Sequence, residues 1–190
     1  MAILLLIACP AERLGVDLPP GGVEAISHED LRRDVRRLST EPAETVFVER
    51  LGQMQLTPVV GGPGACAERE GRGAGAPLLL VAFAPANAAE ATAAAGLVSL
   101  AKAWDLDGGP PGPRTLCLLP VGSPPPAGAF VLGPLATGTV VVGPSGAAAD
   151  AADPALTAER INYTEVQARV KTVWSALAAP TTPAPTPRSP

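Results

Sequence analysis

The 190-residue chain is predicted to form an α/β fold with a mainly parallel sheet, from two observations. Short, continuous apolar runs bounded by turn residues, at residues 77–83 and 114–121, read as strands buried on both faces. Segments with apolar residues at helical spacing lie before, between and after them, and strands alternating with helices are the pattern of a parallel α/β sheet. The length suits one domain with a core large enough to fold without staples.

The first helix is expected from His28, with Leu31, Val35 and Leu38 on one stripe, Ser27 as its cap and Asp30 in its first turn. A second is expected over residues 43–55, with Phe47, Leu51 and Met54 inward. Residues 61–75 are Gly-rich and of mixed charge, and read as a flexible loop. Their glycines lack the Lys and the Ser or Thr of a phosphate-binding P-loop. After the first strand, the Ala-rich stretch 87–106 carries Leu97, Leu100, Ala101 and Trp104 at helical spacing, and Gly96 in its middle points to close packing against a neighbour. Residues 107–113 form a turn-rich connector. Residues 131–132 and 139–142 are weaker strand candidates. A last helix is expected from Asn162, with Val166, Val170, Val173, Trp174 and Leu177 as its stripe and Asn162 with Glu165 as a capping box.

Composition excludes some functions. A net charge of −4 argues against nucleic-acid binding, which needs a basic face to displace counterions. The run Arg32, Arg33, Arg36 and Arg37 reads as the solvated side of a helix. Cysteines 9, 66 and 117 are odd in number, which argues against a full disulfide framework. Cys117 reads as a small buried hydrophobe, and a Cys66–Cys117 bridge remains open.

Residues 2–8, AILLLIA, are followed by Cys9 and read as a bacterial lipoprotein signal with Cys9 as the lipidated residue, although no Lys or Arg precedes the run. The alternative is a buried strand over residues 3–7. The run is too short to span a bilayer. Residues 10–27, with Pro19-Pro20-Gly21-Gly22, read as a linker, residues 28–179 as the domain, and the Pro- and Thr-rich residues 180–190 as a disordered tail.

Four stretches, taken in order, carry a resemblance: HEDLRRDVRRLS with the helix ending GQMQLTPV; APLLLVAFAP; ATAAAGLVSLAKAWDL leading to PRTLCLLPVGS; and DPALTAERINYTEVQARVKTVWSALA, in which Arg160-Ile161-Asn162-Tyr163 is the most specific piece. Together they resemble the bacterial leucyl aminopeptidases with two co-catalytic zinc ions, a clan that includes glutaminyl cyclases and the transferrin receptor ectodomain. The resemblance implies a three-layer, zinc-exopeptidase-like sheet flanked by helices, here truncated. In that family His and Asp side chains hold the zinc ions and a Glu acts as general base, the donor chemistry a catalytic zinc requires. Laid over this chain, the first His falls on Phe83 and its companion Asp on Pro85. The bridging Asp falls on Thr92, the Glu pair on Pro124 and Pro125, the final His on Ala152 and the following Asp on Leu156. The remaining Asp falls in a shortened region where residues 140–142 offer no acid.

No catalytic, cofactor-binding or metal-binding residue is therefore expected, and no cofactor. Glu90 is the one carboxylate near the expected pocket, and His28 is the chain's single histidine. Ser123, Ser145 and Cys117 have no core histidine to activate them as nucleophiles, and Gly143-Pro144-Ser145-Gly146 lacks the spacing of a nucleophile elbow. The expectation is a degenerate, non-catalytic aminopeptidase-like domain. It would be secreted or in the cell envelope, bind a protein or peptide, and meet the membrane only through a lipid anchor. The alternatives are a hydrolase with unconventional ligands and a decaying paralogue.

Overall fold

The computed structural model describes residues 21–136 and 155–178. Cys9 and the lipoprotein signal, the weak strand candidate 139–142, Ser145, Ala152 and the tail 180–190 lie outside the described residues. In order, a 3-10 turn (Gly22–Ala25) leads to α1 (His28–Thr40), α2 (Ala43–Gly52), β1 (Thr57–Val59), β2 (Ala65–Arg69), β3 (Leu78–Phe83), α3 (Ala88–Leu106), β4 (Arg114–Leu119), β5 (Phe130–Val131) and α4 (Tyr163–Ala178).

The protein is α/β, but its sheet is mixed rather than mainly parallel. The strand order is β1-β2-β4-β3-β5. β3 runs parallel to both β4 and β5, whereas β2 is antiparallel to β1 and to β4. The antiparallel half comes from a hairpin whose turn and second strand, β2, lie inside the stretch 61–75 read as a flexible loop. Gly61 takes a left-handed φ of 79° in the turn, but other glycines of the stretch are there for contact. A Cβ on Gly64 would stand 2.3 Å from the Leu118 carbonyl oxygen, one on Gly71 2.3 Å from the Gly112 backbone, and one on Gly112 2.2 Å from the Gly75 oxygen. Loop and connector thus meet backbone to backbone, which only glycine permits.

The linker reading of residues 10–27 also needs correction at its end. Gly22 is buried and Ile26 fully so, and the Gln167 side chain of α4 donates to the Ile26 carbonyl at 2.5 Å. Residues 21–27 belong to the domain.

The helices follow the sequence closely. Ser27 caps α1 by accepting from the Glu29 N–H at 3.2 Å, and Leu31, Val35 and Leu38 are buried. α2 ends earlier than expected, at Gly52, because the Leu56 N–H turns back to the Leu51 carbonyl with Gln55 left-handed at φ 60°, the geometry of a Schellman stop. At the start of α4, Asn162 accepts from the Glu165 N–H at 3.3 Å, while the Glu165 carboxylate pairs with Arg169 instead of closing the box. Gly96 lies against Leu132, Leu135 and Val170, the close packing its position suggested.

One face of the sheet, with Ala67, Leu80, Ala82, Leu116 and Leu118, forms a single core with all four helices. The other face carries a smaller cluster of Cys66, Val81, Cys117, Leu119, Ala129 and Val131, with no helical residue in it among those described. Cys66 and Cys117 oppose each other across β2 and β4 and are joined by a disulfide. Cys117 is therefore a bridging cysteine rather than a free hydrophobe. A sequence could not pair them, since their separation of 51 becomes adjacency only through the sheet.

Closing a loop of that length constrains the unfolded chain by about 4 kcal/mol. Reduction, or Cys66→Ala with Cys117→Ala, is expected to lower unfolding free energy by about that amount in urea titrations; an unchanged midpoint would show that the bridge does not form. At Gly96 an added Cβ would stand 2.8 Å from Leu135 Cδ1. Gly96→Ala is expected to cost roughly 1–3 kcal/mol by overpacking, read as a lowered melting temperature, in contrast to the gain that Gly→Ala gives in an uncrowded helix.

Candidate functional site

In open α/β sheets, ligands gather beyond the carboxyl ends of parallel strands where the strand order reverses. Here that place is the end of β3, since the chain goes from β3 through α3 to β4 on one side and then to β5 on the other. Four of the positions singled out by the resemblance lie on the segments that leave β3 and β4. Phe83 is the last residue of β3 and half-buried, Pro85 follows it, and Pro124 and Pro125 lie on the connection leaving β4. The Ala84 N–H donates to the Leu119 carbonyl at 2.7 Å, tying the two strand ends together.

α3 begins beside this crevice, and its cap consumes the nearby polar groups. Asn87 Oδ1 accepts from the Glu90 N–H at 3.0 Å. The Glu90 carboxylate accepts in return from the Ala86 N–H at 2.8 Å and from Asn87 Nδ2 at 3.0 Å. Asn87-x-x-Glu90 is thus a capping arrangement, and both Glu90 oxygens satisfy donors at the helix start. A little further on, Thr92 is fully buried. Its hydroxyl donates to the Ala89 carbonyl at 2.5 Å and accepts from the Leu135 and Ala136 N–H groups at 2.8 and 3.2 Å. Thr92 therefore anchors the segment after β5 to α3. Leu156 packs half-buried against the main core.

Of the other candidates, His28 lies away from the end of β3 and Cys117 is engaged, while Ser123 stands next to Pro124 on the connection leaving β4. His28 is exposed at the start of α1. Two residues on, Asp30 pairs with Lys102 near the far end of α3, so the histidine sits at the opposite end of the molecule. Cys117 is in the disulfide. The Ser123 N–H closes a turn onto the Pro120 carbonyl at 3.1 Å. Among the described residues, no group of three or more His, Cys, Asp or Glu side chains could hold a metal ion, and no helix is long and apolar enough to cross a membrane.

The densest polar cluster lies elsewhere, where α1, α2 and α3 meet. Asp34 is 1% exposed. Arg50 Nη2 donates to its Oδ2 at 3.2 Å, Arg50 Nε lies 3.0 Å from Oδ1, and Arg33 Nε approaches at 3.4 Å. Arg33 also holds Asp30 at 2.6 Å, and Lys102 binds the other Asp30 oxygen. Burial pushes the Asp30 carboxyl up, but the Lys102 ammonium and then the Arg33 guanidinium outweigh it, so it titrates below its ordinary value. On the outer side Arg37 bridges Glu41 and Glu49 in an exposed fork. The arginine run is thus only partly a solvated face, because Arg33 reaches inward to a buried carboxylate. The sequence held one signal for this: Asp34 falls between Leu31, Val35 and Leu38 on the apolar stripe. With its charges paired internally, the cluster clasps three helices and offers no reactive group.

Arg114 is a different case. Its guanidinium is buried without a carboxylate, donates to the Ala76 and Pro113 carbonyls at 3.0 Å each, and lies 5.7 Å from the Trp104 ring centre. Burial pulls its pKa down. The carbonyls and the ring face give the cation its compensation at the end opposite the crevice.

Comparison with protein-family models, curated proteins and solved structures finds no match to this chain. Fold and site together define a small α/β domain in which Phe83, Pro85, Asn87 and Glu90 follow one another from the carboxyl end of β3 into α3.

Asp34→Ala is expected to cost on the order of 3 kcal/mol, since it leaves the Arg50 charge without its partner, and more than Arg37→Ala at the exposed fork. Asp30 contributes stability that is present above its unfolded pKa and lost as pH falls through its lower folded value. Asp30→Asn is therefore expected to be less stable than the parent at pH 7, with the gap narrowing below about pH 4. Urea titrations at both pH values check this, and a gap that stays constant with pH would remove the ion pair as its cause.

Proposed function

We propose that this chain is a non-catalytic, aminopeptidase-like domain. In this reading it derives from the three-layer zinc-exopeptidase architecture and acts in the cell envelope, or secreted, as a binding or scaffold module for a protein or peptide, tethered through a lipid on Cys9. The observation that carries the proposal is the chemistry around the end of β3. Where the resemblance puts zinc ligands and base, this chain has Phe83, Pro85, Thr92, Pro124 and Pro125. None supplies the imidazole or carboxylate donors that zinc takes. Glu90 and Asn87 are engaged in the α3 cap and Thr92 with three backbone groups.

The replacement is coherent in energetic terms. Carboxylates left together in such a crevice without a metal would repel and pay for desolvation, and apolar and proline side chains carry neither cost. The envelope address is supported by the Cys66–Cys117 disulfide, because such bonds persist in oxidising compartments and are rare in the cytosol.

Zinc content tests the reading. The purified chain, incubated with zinc, desalted and analysed by elemental mass spectrometry, is expected to retain almost none while staying folded by circular dichroism. Stoichiometric zinc would sink the proposal and turn attention to peptidase assays.

A further inference from the structure

A cleft of about 290 Å3 opens where α1 and α2 meet the far end of α3. Its walls carry Arg33 of α1, Arg50 of α2, and Lys102 and Asp105 of α3, with Met54 and Leu106 as its apolar part. Pockets for drug-sized ligands start at about 300 Å3, so this one suits a smaller molecule. The ion pairs that clasp the helices leave it with donors to spare. Among the described residues, Lys102 gives one of its three N–H groups to Asp30. Arg33 donates from Nε to Asp34 and from Nη2 to Asp30, which leaves its Nη1 without an acceptor. The acceptors, by contrast, are nearly used up. Both oxygens of Asp30 and both of Asp34 take hydrogen bonds. Asp105 gives Oδ1 to Arg69, and its Oδ2 is the carboxylate oxygen left open among them. In charge, Arg33, Arg50 and Lys102 face Asp30 and Asp34, while Asp105 is answered by Arg69, so the cleft holds one positive charge in excess.

We propose that this cleft binds a small zwitterion, an α-amino acid with an apolar side chain. The spare N–H groups of Lys102 and Arg33 take its carboxylate, Asp105 Oδ2 takes its ammonium, and Met54 and Leu106 pack against its side chain. Lys102 and Asp105 are three residues apart on α3 and therefore neighbours on one face of the helix, so the two ends of one small molecule reach both. A simple anion would leave the open Asp105 oxygen unanswered, and a simple cation would meet the positive excess. A zwitterion satisfies both. The site is also ordered in advance. Asp34, 1% exposed, holds Arg50 and Arg33, and Asp30 holds Arg33 and Lys102. Side chains fixed before the ligand arrives lose less entropy on binding. No residue at the end of β3 takes part, and the inference stands independently of the aminopeptidase-like reading.

Isothermal titration calorimetry of the full chain with L-valine tests it. Saturable heat is expected with L-valine up to about 10 mM. N-acetyl-L-valine, which lacks the ammonium, and L-valinamide, which lacks the carboxylate, are each expected to bind at least about tenfold more weakly. Lys102→Met is expected to weaken L-valine binding by a similar factor. Leu106→Trp, at a position 39% exposed and outside every ion pair among the described residues, is expected to fill the cleft and abolish binding; it decides the matter should Lys102→Met fail to fold by circular dichroism. Arg37→Gln, at the exposed fork on the outer side of α1, is expected to leave affinity unchanged. The absence of saturable heat with L-valine overturns the proposal. So does equal binding of L-valinamide or N-acetyl-L-valine, or of inorganic phosphate, which would make the cleft a plain anion site. Binding that survives Leu106→Trp would place the ligand elsewhere and overturn it as well.

Discussion

The enclosure of α3 is the constraint on which the other elements depend. From Ala88 to Ala101 nearly every side chain of this helix is buried, and it touches the 3-10 turn, α1, α2, α4 and β3. A helix surrounded in this way must be apolar around its whole circumference, and its neighbours can approach only if its side chains are small. Alanine meets both demands, with no side-chain entropy to lose and the highest helix propensity. Where the approach is closest, at Gly96, even a methyl group is too large. The Ala-rich composition of this stretch is thus a packing requirement, and it explains how so many elements fit around one central helix.

The polar groups arrange themselves around that dry axis. At the start of α3, Glu90 and Asn87 close the cap, and Thr92 gathers two N–H groups from the segment after β5. Towards its other end, Lys102 reaches Asp30 and Asp105 holds Arg69. Each of these charges is answered within the chain, whereas the buried Arg114 relies on carbonyls and the Trp104 face. These pairs and caps tie the helices to one another and to the segment after β5.

Elements with a strong local signal were legible in the amino-acid order. α1, α3 and α4 announced themselves through Leu31–Val35–Leu38, the alanine run and Val166–Val170–Val173, and β3 and β4 through unbroken apolar runs. β1 and β2 were not, because strands of three and five residues embedded among glycines show no alternation. Gly64 and Gly71 read as freedom when they are in fact points of backbone contact. The disulfide and the Asp34–Arg50 pair were hidden for another reason: both join residues brought together only by the tertiary fold. At the crevice, the residue types could be read, but the engagement of Glu90 by its own helix start required coordinates. The stop of α2 three residues early follows from Gln55 taking a left-handed conformation that glycine more often supplies.

The cross-strand disulfide has a mechanical corollary. Force applied at the chain's termini travels through residues outside the covalent loop once Cys66 and Cys117 are joined. The 51-residue separation within the loop, roughly 170 Å of contour when extended, cannot be paid out while the bond holds. β3 and α3 lie inside that loop. Under tension applied at the termini, therefore, the load bypasses β3 and α3 and falls on the segments carrying α1, α2 and α4.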